Sequence, residues 1–178
     1  FSLPITHLSA YSLTIEEGTK FFDRSSVKID DEELSYEIFD YINKNGFHQY
    51  EISNFAKNKE SESKHNYGYW QHKEYLGVGA GAVGYVNQQR QYPSKSIEEY
   101  IQNPLFTQIE KIDDEDIKTE KVLLGLRCSN GVDLSLFDEK EKQKIDELIQ
   151  YDKIYVENDK VFNKNFLLSD ELALYILD

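Results

Sequence analysis

Methionine is absent from the 178 residues, cysteine occurs once, and basic side chains are scarce, 20 against 33 acids. Each shortage excludes something. The single cysteine, Cys128, rules out an internal disulfide and any all-cysteine metal or iron–sulfur site within this chain. A net charge of −13 argues against a partner gripped through phosphates, because nucleic-acid binders carry a basic footprint. It argues equally against an anionic membrane surface. No apolar run approaches the roughly 18 residues a membrane span needs, and the opening residues lack a signal-peptide pattern. A reducing cytoplasm is the expected compartment. The chain opens on Phe1 without an initiator, so we expect a portion of a longer protein. What is abundant is aromatic: 13 Tyr, 10 Phe and 1 Trp, too many for a disordered chain of this polarity.

Residues 3–15 read as one strand with mixed faces, broken at Glu16-Glu17-Gly18-Thr19. A helix is predicted over residues 31–45, with Leu34, Ile38, Tyr41 and Ile42 as its apolar stripe and Asn45-Gly46 as its stop. Residues 47–55 read as a second strand, and strand–helix–strand favours a parallel crossover. Residues 76–86 alternate glycine with small apolar side chains and read as a strand passing through close contacts. Asn87-Gln88-Gln89 turns it into a short returning strand ending at Tyr92-Pro93. Ser96 and Glu99 form a capping box for a short helix that Pro104 ends.

The composition shifts near Phe106, which divides the chain into residues 1–106 and 107–178. Acids at residues 113–116 open a helix to Arg127, and Asp138 caps a helix over 139–151 that buries Ile145, Leu148 and Ile149. Residues 153–156 and 160–163 form a hairpin, and Ser169 caps a last helix with Leu172, Tyr175 and Ile176. This is a winged-helix-like plan. From Asp113 on it carries 9 basic and 17 acidic residues, net −8, so its wing would repel DNA and reads as packing.

His65-Asn66-Tyr67-Gly68-Tyr69-Trp70 is the most unusual hexamer. A neutral imidazole is a natural axial ligand for haem iron, and aromatic faces stack on a flat macrocycle. The same residues also suit a turn-capping histidine with aromatics filling core. Gly77, Gly79 and Ala82 match a dinucleotide G-x-G-x-x-G/A pattern on paper. That fingerprint sits between a strand and a helix, whereas this run leads into Tyr85-Val86-Asn87, so close packing or close approach to a ligand is the better reading. His7, His48 and His72 read as structural, Cys128 as a small core residue, and Glu16 with Glu17 as a solvated turn.

Five separated stretches carry a resemblance. They are residues 7–16 (HLSAYSLTIE), 50–56 (YEISNFA), His65-Asn66-x-x-Tyr69-Trp70, 75–82 (YLGVGAGA) and 120–127 (EKVLLGLR). In this order they resemble the C-terminal half of the oxygen-independent coproporphyrinogen III oxidase family of radical S-adenosylmethionine proteins, on the side of its haem chaperone branch. The resemblance covers most of the chain and weakens toward the C-terminus. It implies an α/β fold, α+β as an isolated piece: the last strands and helices of a partial TIM-type barrel, then a small winged-helix-like domain.

The resemblance also implies a site. His65, Asn66, Tyr69 and Trp70 would bind haem, with His65 on the iron, and Leu13, Gly79, Ala80, Gly81 and Val83 would face S-adenosylmethionine. The family's C-x-x-x-C-x-x-C loop is missing here. A 4Fe-4S cluster and most of the S-adenosylmethionine site are therefore expected in the N-terminal half of the full-length protein, and this chain alone is expected to be inactive. The Arg-Asn-x-x-Gly-Tyr-Thr-Thr-type stretch of the oxidases is also missing. Glu17 replaces a usual proline, and Val83 stands where a histidine is common, removing a second ligand. The implied function is a haem chaperone passing haem to an acceptor protein. The alternatives are a coproporphyrinogen III oxidase and a non-catalytic acidic interaction module. Partners expected are haem or porphyrin, the radical S-adenosylmethionine half, a haem acceptor and a second copy of the chain, since two barrel strands leave a sheet edge open.

Overall fold

The structure, a computed structural model, describes residues 3–13, 15, 17–20, 22 and 32–178, which fall into two units, Phe1–Ser63 and Lys64–Asp178. Thr14, Glu16 and Asp31, named above, lie outside the described residues.

In the first unit, β1 (His7–Ser9), α1 (Glu32–Lys44), β2 (His48–Gln49) and β3 (Asn54–Ala56) form a sheet of order β1-β3-β2 backed by one helix. Both outer strands pair antiparallel with β3, His7 and His48 each opposite Ala56. β1 and β2 thus run the same way, but β3 lies between them and the predicted parallel pairing is replaced. The reason is local: residues 47–55 are a hairpin, not one strand. The Tyr50 N–H donates to Asn54 O at 3.2 Å, the Gln49 amide to Ile52 O at 3.1 Å, and the Ser53 N–H to Glu51 Oε1 at 3.2 Å. β1 is three residues long, not the whole of 3–15, because β3 offers it three partners.

Side chains alternate across this sheet. Leu8 and Phe55 point to the face where Phe39, Ile42 and Phe47 complete a core. Phe39 meets Phe55 edge-on at 5.1 Å. Of the stripe predicted for α1, Ile42 is buried as expected and the other three residues are not. Leu34, Ile38 and Tyr41 are 41%, 43% and 61% exposed, whereas Phe39 and Ile42 take the inner side. Apolar residues occupy two adjacent rows of this helix, and in this unit the sheet covers one. Gly46, at φ +84°, stops the helix as expected.

The second unit runs α2 (Lys64–Trp70), β4 (Gly84–Val86), β5 (Gln89–Pro93), α3 (Ile97–Gln102), β6 (Thr107–Lys111), α4 (Asp114–Gly125), β7 (Val132–Asp133), α5 (Glu139–Gln150), β8 (Ile154–Glu157), β9 (Lys160–Asn163) and α6 (Ser169–Leu177). It holds two antiparallel sheets, β4-β5-β6 and β7-β9-β8. Both hairpins turn as their sequences promise: Asn87-Gln88 lie at φ +53° and +57°, and Asn158-Asp159 at +50° and +58°, the paired positive values of a type I′ turn. The division expected after residue 106 falls inside this unit, with β5 and β6 paired on either side of it, Pro93 opposite Thr107.

Residues 76–83 form a loop instead of a strand, since Gly79 and Gly81 take φ of +121° and +72°. Close packing does occur, at Gly77, where a Cβ would stand 2.0 Å from Ala82 O.

One core fills the C-terminal part, built on Val122, Leu126, Val132, Phe137, Ile145, Ile154, Val161, Leu172 and Ile176. Asp113 caps α4, and Asp138 with Glu141 forms a full capping box on α5. Two other expectations change. Glu99 sends its carboxylate to the Ser94 hydroxyl, so Ser96 caps α3 without the reciprocal half of the box. Ser169 is the first residue inside α6, with no side-chain cap before it; its buried hydroxyl lies 3.1 Å from Leu126 O and ties α6 to the end of α4. Ile149 is exposed, and Cys128 is buried as expected. No helix among the described residues is long and apolar enough to cross a membrane.

Candidate functional site

The unusual hexamer folds as α2, seven residues that bury none of their side chains completely. So short a helix is marginal alone, and its stop is unusually well made. The His72 N–H donates to Tyr69 O and the Lys73 N–H to Gly68 O, both at 2.9 Å, with His72 in the left-handed region at φ +54°. This is a Schellman cap with histidine where glycine is usual. Tyr67 Oη meets Ser129 Oγ at 2.6 Å and tethers the helix to the loop after α4.

Helical spacing sorts the motif into two sides. His65 and Tyr69, four apart, share an exposed side, their rings edge-to-face at 4.9 Å. Tyr69 continues onto Tyr75 at 4.7 Å, and Tyr75 onto Tyr85 at 6.4 Å. Tyr75 and Tyr85 are locked by two mutual backbone hydrogen bonds of 2.8 Å. Asn66 and Trp70, both half-buried, lie on the other side, so His65 and Trp70 do not share a face.

Beside the tyrosines lies a cleft of about 190 Å³, whose lining includes Tyr69, His72, Lys73, Tyr75, Tyr85, Arg90 and Glu120. His72 Nε2 sits 2.7 Å from Glu120 Oε2, and its side chain is 6% exposed. Glu120 also accepts from Arg90, which stands 3.6 Å from Glu110. Burial pushes the Tyr75 and Tyr85 hydroxyls above their usual range; at Tyr75 the Arg90 charge opposes this, and at Tyr85 the Glu120 charge adds to it. Sequence reasoning missed this network because its members lie 30 and 48 residues apart.

In the first unit the motif residues His7, Ser9, Tyr50 and Asn54 are also brought together. His7 Nε2 is 2.8 Å from Tyr50 Oη, and Ser9 Oγ bonds Asn54 Oδ1. The Ser63 N–H donates to the Tyr50 oxygen at 3.0 Å. Burial raises the Tyr50 pKa, partly offset by that N–H. The period-2 spacing of His7 and Ser9 carried this signal. His48 faces Glu62 at 2.9 Å.

The residues expected to face S-adenosylmethionine divide between the units. Leu13 is exposed in the first, while Gly79, Ala80, Gly81 and Val83 form the loop of the second. A Cβ at Gly79 would meet nothing within 4 Å, and one at Gly81 would meet Lys95 Cγ at an ordinary 3.6 Å. The glycines serve the turn; the Gly79 N–H donates to Tyr100 Oη at 3.1 Å. No group of three or more His, Cys, Asp or Glu able to hold a metal ion occurs among the described residues.

Comparison with known proteins gives consistent results. The chain is 30% identical to the haem chaperone HemW of Lactococcus lactis over 99% of its own length and 48% of that protein. It is 34% identical to HemW of Bacillus subtilis over 83% of this chain and 42% of that one. It is 32% identical to the mitochondrial radical S-adenosyl methionine domain-containing protein 1 of Dictyostelium discoideum over 74% of this chain and 38% of that one. The chain thus spans about half the length, or less, of the curated relatives it matches. Among solved structures it is similar to the coproporphyrinogen III oxidase HemN of Escherichia coli, a radical SAM enzyme, with a TM-score of 0.59, 10% identity, and coverage of 85% of this chain and 43% of that one. At that identity the likeness shows the fold alone. No family model matches the chain.

Proposed function

Homologues of this chain are the HemW haem chaperones and the mitochondrial radical S-adenosyl methionine domain-containing protein 1, and on that premise we propose that it is the haem-holding portion of a haem chaperone, with His65 as the ligand to iron. One observation supports this most. Of the four histidines, His7, His48 and His72 are engaged by Tyr50, Glu62 and Glu120 respectively, whereas the exposed His65 imidazole makes no hydrogen bond among the described residues. A free imidazole carries the lone pair that iron needs.

Tyr69 and Tyr75 continue the surface from His65 and offer apolar area to a macrocycle. Asn66 and Trp70 belong to the same helix and hold its other side, which aims His65 outward. Lys64 and Lys73, both exposed and near the ends of α2, supply positive charge for propionate groups in a chain of net charge −13. An exposed ligand suits a carrier that must give its cargo to an acceptor. The sole thiol, Cys128, is buried, so these residues do not fit a 4Fe-4S cluster. Cluster and S-adenosylmethionine chemistry would belong to the half of the full-length protein that the relatives contain beyond the matched region.

Haem titration tests the reading. The protein should give a Soret band of imidazole-bound haem that His65→Ala abolishes and His72→Ala keeps. An unchanged spectrum and affinity in His65→Ala would return the hexamer to a packed turn.

A further inference from the structure

A histidine fills the position that closes α2, where the backbone turns left-handed at φ +54°. Glycine takes that conformation freely and a residue with a β-carbon does not, so an imidazole there needs a compensating contact. Glu120 supplies it. Its Oε2 lies 2.7 Å from His72 Nε2, on a buried ring that meets Tyr85 edge-on at 4.7 Å. Its other oxygen accepts from Arg90 on β5, and Glu110 stands 3.6 Å from the same guanidinium. Both carboxylate oxygens are therefore committed, and the side chain is fixed from two directions.

Two routes lead from Glu120 to His65. The first is the backbone, where the His72 and Lys73 N–H groups close α2 on Tyr69 O and Gly68 O. The second is the row of rings: His72 packs on Tyr85, Tyr85 pairs with Tyr75 through their backbones, Tyr75 meets Tyr69 at 4.7 Å and Tyr69 meets His65 at 4.9 Å. A seven-residue helix has too little stability of its own to hold an exposed imidazole in one direction. The Tyr67–Ser129 tether holds its middle and leaves its C-terminal end to this clasp. We propose that Glu120 is the positioning residue of the haem site: through His72 it fixes the end of α2, and with it the direction of the His65 imidazole. This rests on the reading of His65 as the iron ligand. An imidazole already held in place gives up little freedom on binding iron, so loosening it should speed haem release without changing the type of ligand.

Haem release from the full chain to excess apomyoglobin, beside amide exchange of the haem-free chain, tests this. Glu120→Gln keeps the size of the side chain and removes its charge. It should raise the release rate about fivefold and retain the imidazole Soret band; loss of a group bonded directly to a metal-binding histidine costs roughly tenfold or more. In the haem-free variant the amides of residues 68–73 should exchange faster, while those of α5 match the parent. Ile145→Val lowers the melting temperature through the core and should leave release unchanged, so it separates positioning from stability alone. His72→Gly relieves the backbone and removes the ring. It should release haem as fast as Glu120→Gln, and the double variant should be no faster than either. Were the histidine only a cap, glycine would hold α2 at least as well. The proposal is overturned if exchange at residues 68–73 is unchanged in Glu120→Gln, if release rises no more than in Ile145→Val, or if the effects of the two variants add. Failure of the His65 reading shows differently, as an unchanged haem spectrum and affinity in His65→Ala.

Discussion

The core beneath α4, α5 and α6 and the surface around α2 use their large side chains in opposite ways. In the core, Val122, Leu126, Ile145, Ile154, Val161 and Ile176 are all within about a percent of complete burial. On α2 no side chain is fully buried, and one end of the motif, His65 with Tyr69, faces outward. The core side chains stabilise by leaving water; the α2 rings are held by a cap, a Tyr67–Ser129 tether and ring contacts, which fix their positions while leaving their surface free. Stability and binding are therefore separable here. A change in one region should leave the other's signature intact.

The largest expected effect tests that separation from the core side. Ile145→Ala removes a fully buried side chain and should cost about 3–4 kcal/mol in denaturant unfolding. Below its lowered midpoint, the variant should keep the His65-dependent haem spectrum. Loss of that spectrum in still-folded protein would mean that the two regions are coupled.

Next comes the pair of histidines seven residues apart. His72→Ala deletes a buried ring that bonds Glu120 and packs on Tyr85 at 4.7 Å, and should cost roughly 2 kcal/mol. His65→Ala, at an exposed site, should cost less than about 0.5 kcal/mol. Thermal melts of the two variants beside their haem spectra should therefore rank them in opposite orders. The same ranking in both measurements would erase the contrast.

The smallest effect is a pH dependence. The Asp138 carboxylate is held below its usual range, chiefly by the hydrogen bond from the Glu141 N–H. A depressed folded-state pKa contributes stability above the unfolded value, and that contribution is lost as the pH falls through the folded value, in the region below about pH 4. Asp138→Asn keeps an N-cap acceptor without the titration. Its melting temperature should match the parent near neutrality and fall less steeply in acid. Parallel acid curves would place the loss elsewhere.

Legibility in the sequence followed the range of the interaction. The α1 stop at Gly46, the places of both hairpin turns, the acidic start of α4, the cap at Asp138 and the burial of Cys128 were all readable, since each depends on backbone conformation or contacts within a few residues. The His65 motif was readable as a motif, but its helical form was not. Residues 47–55 illustrate the opposite case. Their alternation suits a single strand, and it is the Glu51 and Gln49 side chains bonding across the turn that make a hairpin of them.

Local physics thus determined from sequence alone where α1 stops, where α4 and α5 begin, which turns are tight, and that His65 stands amid aromatic side chains. Tertiary structure alone decided which apolar row of α1 is covered, that Glu120 is shared by His72 and Arg90, and that His7 meets Tyr50. The physical reason is separation along the chain. Capping and turn energies act over one to four residues, whereas these pairings join groups 30 to 48 residues apart, and only the folded arrangement selects them from many partners of the same chemical type.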